Sequence, residues 1–170
     1  MSMQRKRPAK PLSPDETLQK MEAYCAYQER SPQEVQSKLK DLGMRGDEAE
    51  QILQVLAGDG FFDEQRFAHA YAGGKFRSNH WGRIRIRLGL RHHQVDAEVI
   101  EQAIQSIGEV EYEKTLRMLA LKKLKGYGED EQAKEKTAAA LIRAGFEPHL
   151  VFALLRNLPG LQTEEFEEIF

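Results

Sequence analysis

The chain has 170 residues, 41% hydrophobic and 31% charged, with a net charge of −2, a composition that places it in the soluble globular class and excludes collagenous or broadly disordered architectures. No apolar run approaches the roughly 20 residues of a membrane-crossing helix, and the basic start from Met1 to Lys10 lacks the apolar stretch of a secretory signal, so a cytoplasmic location is expected. A single cysteine, Cys25, excludes an internal disulfide and is expected in the core beside Met21 and Tyr24.

Residues 1–16 carry Pro8, Pro11 and Pro14 among basic and small polar residues, which predicts an extended, mobile basic arm. From Thr17 the spacing turns helical, with Leu18, Met21 and Cys25 on one face up to Arg30. Ser31-Pro32-Gln33-Glu34 then predicts a helix start: Ser31 caps, Pro32 fits the first helical position and Glu34 reaches back to close a capping box. That helix places Val35, Leu39 and Leu42 on one side and stops at Gly43. The next begins near Asp47, buries Ala49, Ile52, Leu53 and Leu56, and ends in Gly58-Asp59-Gly60.

An offset of 51 residues reproduces this arrangement twice. Leu39 falls on Leu90 and Leu141, Met44 on Val95 and Phe146, Ala49 on Ile100 and Val151, Ile52 on Ala103 and Leu154, Leu53 on Ile104 and Leu155, and Leu56 on Ile107 and Leu158. An offset that holds across a helix, a turn and the next helix is hard to obtain by chance and predicts an internal repeat. The expected fold is therefore all-α: three tandem three-helix units in a curved, elongated rod. Their bounds are 17–62, 63–108 and 109–158, between the arm 1–16 and an acidic tail 159–170. Ile84-Arg85-Ile86-Arg87-Leu88 alternates like a strand, but Ile86 and Leu90 fall where Val35 and Leu39 do, which argues for helix. The third unit opens with a long helix from Glu109 to about Lys125, broken by Gly126 and Gly128; its second runs from near Asp130 to Ala144, and its third starts at Glu147-Pro148. The tail sets Glu164, Glu165, Glu167 and Glu168 among Phe166, Ile169 and Phe170; a short helix folding back onto a basic surface and a frayed end are both compatible with it.

The second unit opens with Phe62-Asp63-Glu64-Gln65-Arg66-Phe67-Ala68, where Asp63 is expected to cap the helix carrying Phe67 and Tyr71. Between Arg66 and Asp96 no acidic residue occurs, while Lys75, Arg77, Arg83, Arg85, Arg87 and Arg91 do. An acid-free basic stretch in a slightly acidic chain points to a local binding surface. Three three-helix units, the junction above and Gly82-Arg83-Ile84-Arg85-Ile86 followed by Leu90 together resemble the RecX family of bacterial recombination regulators over roughly residues 17–158. Two positions depart from the family pattern: Gln94 stands where a glycine is usual, and Gly89 where an acidic residue usually precedes Leu90.

The lack of a nucleophile, metal cluster or phosphate loop predicts no enzymatic activity, and the repeat architecture a monomer. What the resemblance implies is a small cytoplasmic protein that lies in the groove of the RecA–single-stranded DNA filament. It would inhibit RecA's ATPase, strand-exchange and coprotease activities and so modulate homologous recombination, DNA repair and the SOS response, with double-stranded DNA a weaker target. The candidate contacts to RecA or DNA are Lys75, Arg77, Arg83, Arg85, Arg87 and Arg91, with Lys122, Lys123 and Lys125 as a second patch. Arg83, Arg87 and Arg91 form a helical stripe beside Ile86 and Leu90, and their loss is expected to spare the fold. Trp81 is placed equally well stacking on a base or anchoring the helix start in the core. An independent helical DNA-binding module is the alternative, although no helix clusters the Asn, Gln and Arg side chains that read base edges. His69, His80, His92, His93 and His149 lack metal-ligand spacing, no phosphate-binding Gly-x-x-x-x-Gly-Lys loop occurs, and Gly73-Gly74 is expected to loosen or end a helix, so no cofactor or metal is expected.

Overall fold

The structure, a computed structural model, describes residues 12–128 and 130–158. The N-terminal part of the basic arm and the acidic tail 159–170 lie outside the described residues. The described residues are all-α, without a strand: α1 Pro14–Tyr27, α2 Pro32–Asp41, α3 Gly46–Gly58, α4 Glu64–Asn79, α5 Arg83–His92, α6 Ala97–Gln105, α7 Glu109–Tyr127, α8 Ala133–Arg143 and α9 Pro148–Asn157. They fall into two compact units that divide between Phe67 and Ala68, inside α4.

In the first unit, the apolar faces of α1, α2 and α3 close on a core of Met21, Cys25, Val35, Leu39, Met44, Ile52 and Leu56, with Phe61 and Phe62 packed against it. The expected capping box is present: the Ser31 hydroxyl accepts from the Glu34 amide at 3.1 Å and the Glu34 carboxylate accepts from the Ser31 amide at 2.9 Å. A second box starts α1 three residues before the expected helix, with Ser13 and Glu16 exchanging the same two bonds at 3.2 and 2.8 Å. Pro14 is thus a first-turn proline, not part of an extended arm. Asp63 caps α4 by accepting from the Arg66 amide at 2.9 Å, and Arg66 reaches Glu29 and the Gly60 carbonyl.

The second unit packs α5 against α6, and α7 against α8 and α9. Its centre is Tyr112, fully buried, with Phe76 stacked on it at 5.6 Å between centroids and Phe146 at 5.2 Å. Gly73-Gly74 does not end α4, which continues to Asn79; the Arg77 guanidinium folds back over the space a Gly73 side chain would fill.

The 51-residue repeat is real in space. Leu39, Leu90 and Leu141 are all buried, as are Met44, Val95 and Phe146, and Leu56, Ile107 and Leu158. The turn after the second helix of each repeat holds a left-handed residue: Gly43 at φ +89°, Gln94 at +59° and Gly145 at +95°. Glycine enters that region without strain and glutamine does not. The alternation at 84–88 has its reason here: α5 buries Ile86 and Leu90 while Ile84 and Leu88 stay exposed on another face.

Candidate functional site

The N-terminus of α5 is built into the second unit by its backbone. The Gly82 amide donates to the Ala144 carbonyl at 2.8 Å and the Ile84 amide to the Gly145 carbonyl at 3.0 Å. A Cβ on Gly82 would lie 2.2 Å from Gly145 and Phe146 backbone atoms, so the approach requires glycine. The Arg83 amide donates to the Tyr112 hydroxyl at 3.1 Å, and that hydroxyl donates to Glu147 at 2.5 Å. Burial first, then the Glu147 bond, pushes the Tyr112 phenol well above its ordinary range.

This placement splits the arginines of α5 into two sets. Arg83 has its side chain 14% exposed; it pairs with Glu109 at 2.6 Å, reaches the Ile107 carbonyl and lies 4.1 Å over the Tyr112 ring. Arg87 makes a two-pronged pair with Glu101 at 2.7 and 3.0 Å. These hydrogen bonds raise both guanidinium pKa values and hold the Glu109 and Glu101 carboxyls below their usual range. The acids that the neighbouring sequence lacks arrive from α6 and the start of α7. Arg83 and Arg87 are therefore tied into the fold, contrary to the expectation of a free stripe.

Arg85 and Arg91 are exposed, and neither forms an ion pair among the described residues; nor do the half-buried Lys75 and the exposed Arg77 towards the end of α4. Arg85 lies 4.0 Å over the Trp81 ring, and the Lys75 ammonium lies 4.9 Å from the same ring and 5.3 Å from Tyr71. Trp81, partly buried, thus carries cations on its ring; a nucleobase would stack on the Arg85 guanidinium plane rather than on bare indole. Tyr71 crosses to α5 at Gly89, where a Cβ would stand 2.3 Å from its hydroxyl, and meets the His93 ring edge-on at 5.2 Å. Burial, opposed by Arg85, raises the Tyr71 phenol. Gly89 makes room for a tyrosine, which is the physical content of that departure from the family pattern.

A continuous ridge therefore joins Lys75, Trp81, Arg85, Tyr71 and His93, with His92 next at 6.0 Å from His93. Tyr71 and His93 are what sequence reasoning missed. The signal that could have found them was helical: Tyr71 and Lys75 are four residues apart, as are Trp81, Arg85 and Gly89. Lys122, Lys123 and Lys125 sit near the far end of α7, roughly 20 Å along that helix from Glu109. No group of three His, Cys, Asp or Glu that could hold a metal occurs among the described residues. No helix among them is long and apolar enough to cross a membrane.

The family model for the second three-helix domain of RecX matches residues 63–104, which contain the ridge. The regulatory protein RecX of Xanthomonas axonopodis pv. citri is 30% identical over 129 residues, covering 75% of this chain and 78% of that protein. The chain belongs to the RecX family. The RecX of Thermotoga petrophila is 27% identical over 135 residues, 79% of each chain, while the chain spans only 58% of the RecX of Bacillus licheniformis, 29% identical to it. The crystal structure of RecX from Lactobacillus salivarius superposes with a TM-score of 0.79 at 20% identity, covering 85% of this chain and 96% of that one; a second RecX crystal structure reaches 0.72 at 22%. The RecX fold is thus shared, and the family is one of regulatory proteins.

Proposed function

We propose that this RecX-family protein binds the RecA–single-stranded DNA filament along its groove, as a monomer in the cytoplasm, and inhibits RecA ATPase, strand exchange and coprotease activity without catalysis of its own. The observation that carries the reading is the ridge of Lys75, Trp81 and Arg85 with the neighbouring Arg77 and Arg91, cations whose charge no carboxylate of the described residues neutralises by an ion pair. Unneutralised cations beside aromatic rings suit a phosphate backbone with splayed bases, or an acidic protein surface. Arg83 and Arg87 support the ridge by fixing α5. Lys122, Lys123 and Lys125 are a secondary contact.

An independent helix-turn-helix reader is disfavoured. Such a module presents the N-terminal residues of its recognition helix to base edges. Here the N-terminus of α5 is occupied by the Ala144 and Gly145 carbonyls.

The test is to titrate RecA filaments with the wild-type protein and with a Lys75→Ala, Arg85→Ala, Arg91→Ala variant at several salt concentrations. Inhibition should weaken, and the salt dependence of binding should flatten by roughly one unit of slope for each phosphate that the variant no longer neutralises. Equal inhibition at every salt concentration, from a variant that unfolds at the wild-type temperature, would move the binding surface elsewhere.

A further inference from the structure

The outward side of α5 is not uniformly basic. Ile84 is 36% exposed and Leu88 57%; four residues apart, they stand one helical turn from each other, and Arg91 continues the same face. The 51-residue offset places Gln33 and Ser37 at these two positions in the first repeat, and Glu135 and Ala139 in the last. The middle repeat alone carries two branched aliphatic side chains there, so the repeat's own packing does not require them. That packing rests on Ile86 and Leu90, on the opposite side of the helix. Arg87, tied to Glu101, borders the aliphatic stripe on one side, and Arg85, over Trp81, borders it on the other.

We propose that Ile84, Leu88 and Arg91 form a docking stripe for protein, fitted to an apolar recess edged by carboxylates on a RecA subunit, while DNA is left to Lys75, Trp81 and Arg85. The inference rests on the RecA-filament reading above and assigns the protein half of that contact to one face of α5. Single-stranded nucleic acid is held by cations along its phosphates and by aromatic rings under its bases, and aliphatic side chains standing out of a helix serve neither purpose. A protein surface uses all that the stripe offers: an aliphatic centre fills a recess, polar neighbours at the rim shut out water, and an arginine at the edge meets a carboxylate. Arg91 supplies that cation. Glu101, the carboxylate that its charge reaches, is already held by two bonds from Arg87, which leaves Arg91 suited to an acid of the partner. The paired Arg87 and Glu101 supply the polar rim.

The test copies the first repeat: an Ile84→Gln, Leu88→Ser variant of the full chain carries at each position the residue type found there. Its affinity is measured for RecA filaments and for a bare single-stranded oligonucleotide, each at several salt concentrations. Filament affinity should fall about tenfold or more, two aliphatic contacts being lost. The factor should be the same at every salt concentration, because no phosphate contact changes. Affinity for the bare oligonucleotide should stay at the wild-type value. Ile84→Val, Leu88→Met should recover the filament binding that the polar variant loses, since the apolar character is kept. Equal filament binding by the wild type and the polar variant would make the stripe a solvated face, and a parallel loss on the bare oligonucleotide would put it on DNA; either result overturns the proposal. Wild-type protein that leaves RecA filaments unbound would instead sink the functional reading, and this inference with it. Both positions are exposed, so the fold should tolerate the change; if the double variant melts well below the wild type, Leu88→Ser alone, at the more exposed position, carries the same comparison.

Discussion

At the scale of single residues, neighbours distant in sequence decide what each arginine does. Arg83→Ala removes a guanidinium packed on a buried tyrosine and bonded to the Ile107 carbonyl, and should cost about 1–2 kcal/mol of stability. Arg85→Ala should cost about 0.5 kcal/mol or less while weakening RecA inhibition. Chemical denaturation of both variants beside the inhibition assay separates the two roles; equal stability loss would erase the distinction. The seven-residue stretch 83–89 contains nothing that tells Arg83 from Arg85, because Glu109 and Tyr112 lie on α7. Gln94 is the converse, a residue whose strain was legible by comparison with Gly43 and Gly145. Gln94→Gly should stabilise by about 0.5–1 kcal/mol, relief of the left-handed backbone being partly offset by a freer unfolded chain. A thermal midpoint raised by about 2–5 °C is the expected reading, and a lowered one would show that the glutamine side chain contributes something there.

At the scale of elements, helix ends marked by capping chemistry were legible and ends set by packing were not. Ser31-Pro32-Gln33-Glu34 predicted the start of α2 because both halves of its capping box lie within four residues. Ser13-Pro14-Asp15-Glu16 carries the same signal for α1, hidden among the prolines of the arm. Ser31→Ala should cost about 1 kcal/mol, within the range for lost N-caps, and Ser31→Asp should recover most of it. Equilibrium unfolding of the two variants checks this, and a matched loss in both would point to the burial of Ser31 rather than to its cap. The basic ridge was half legible: its cations were read from an acid-free stretch, but its rings depend on Tyr71 passing over Gly89, a contact between helices.

For the whole molecule, the buried Tyr112 gives the second unit a pH limit. Its phenol pKa is raised by folding, so the contribution to stability is fully present below the ordinary tyrosine value near 10 and is lost as pH rises above it. Alkaline titration followed by tyrosinate absorbance should show a late cooperative step that coincides with loss of helical circular dichroism. Smooth, reversible ionisation of every tyrosine with the helix signal intact would mean that Tyr112 is accessible after all. The carboxyls of Glu101 and Glu109, held low by their arginines, work in the other direction: their pairs are intact above the ordinary glutamate range and dissolve as pH falls below it.

The backbone seam between Gly82 and Gly145 also sets an order of events at the ribosome. The first unit has every residue of its core between Met21 and Leu56 and can close as soon as that stretch emerges. The helix that starts just after Gly82 cannot, because the carbonyls that satisfy its first amides belong to residues 144 and 145. At about 5–20 residues per second, translation leaves the Gly82 and Ile84 amides without those carbonyls for roughly 3–12 s. For those seconds the charge of the acid-free stretch between Arg66 and Asp96 is also what helps keep an unfinished unit in solution.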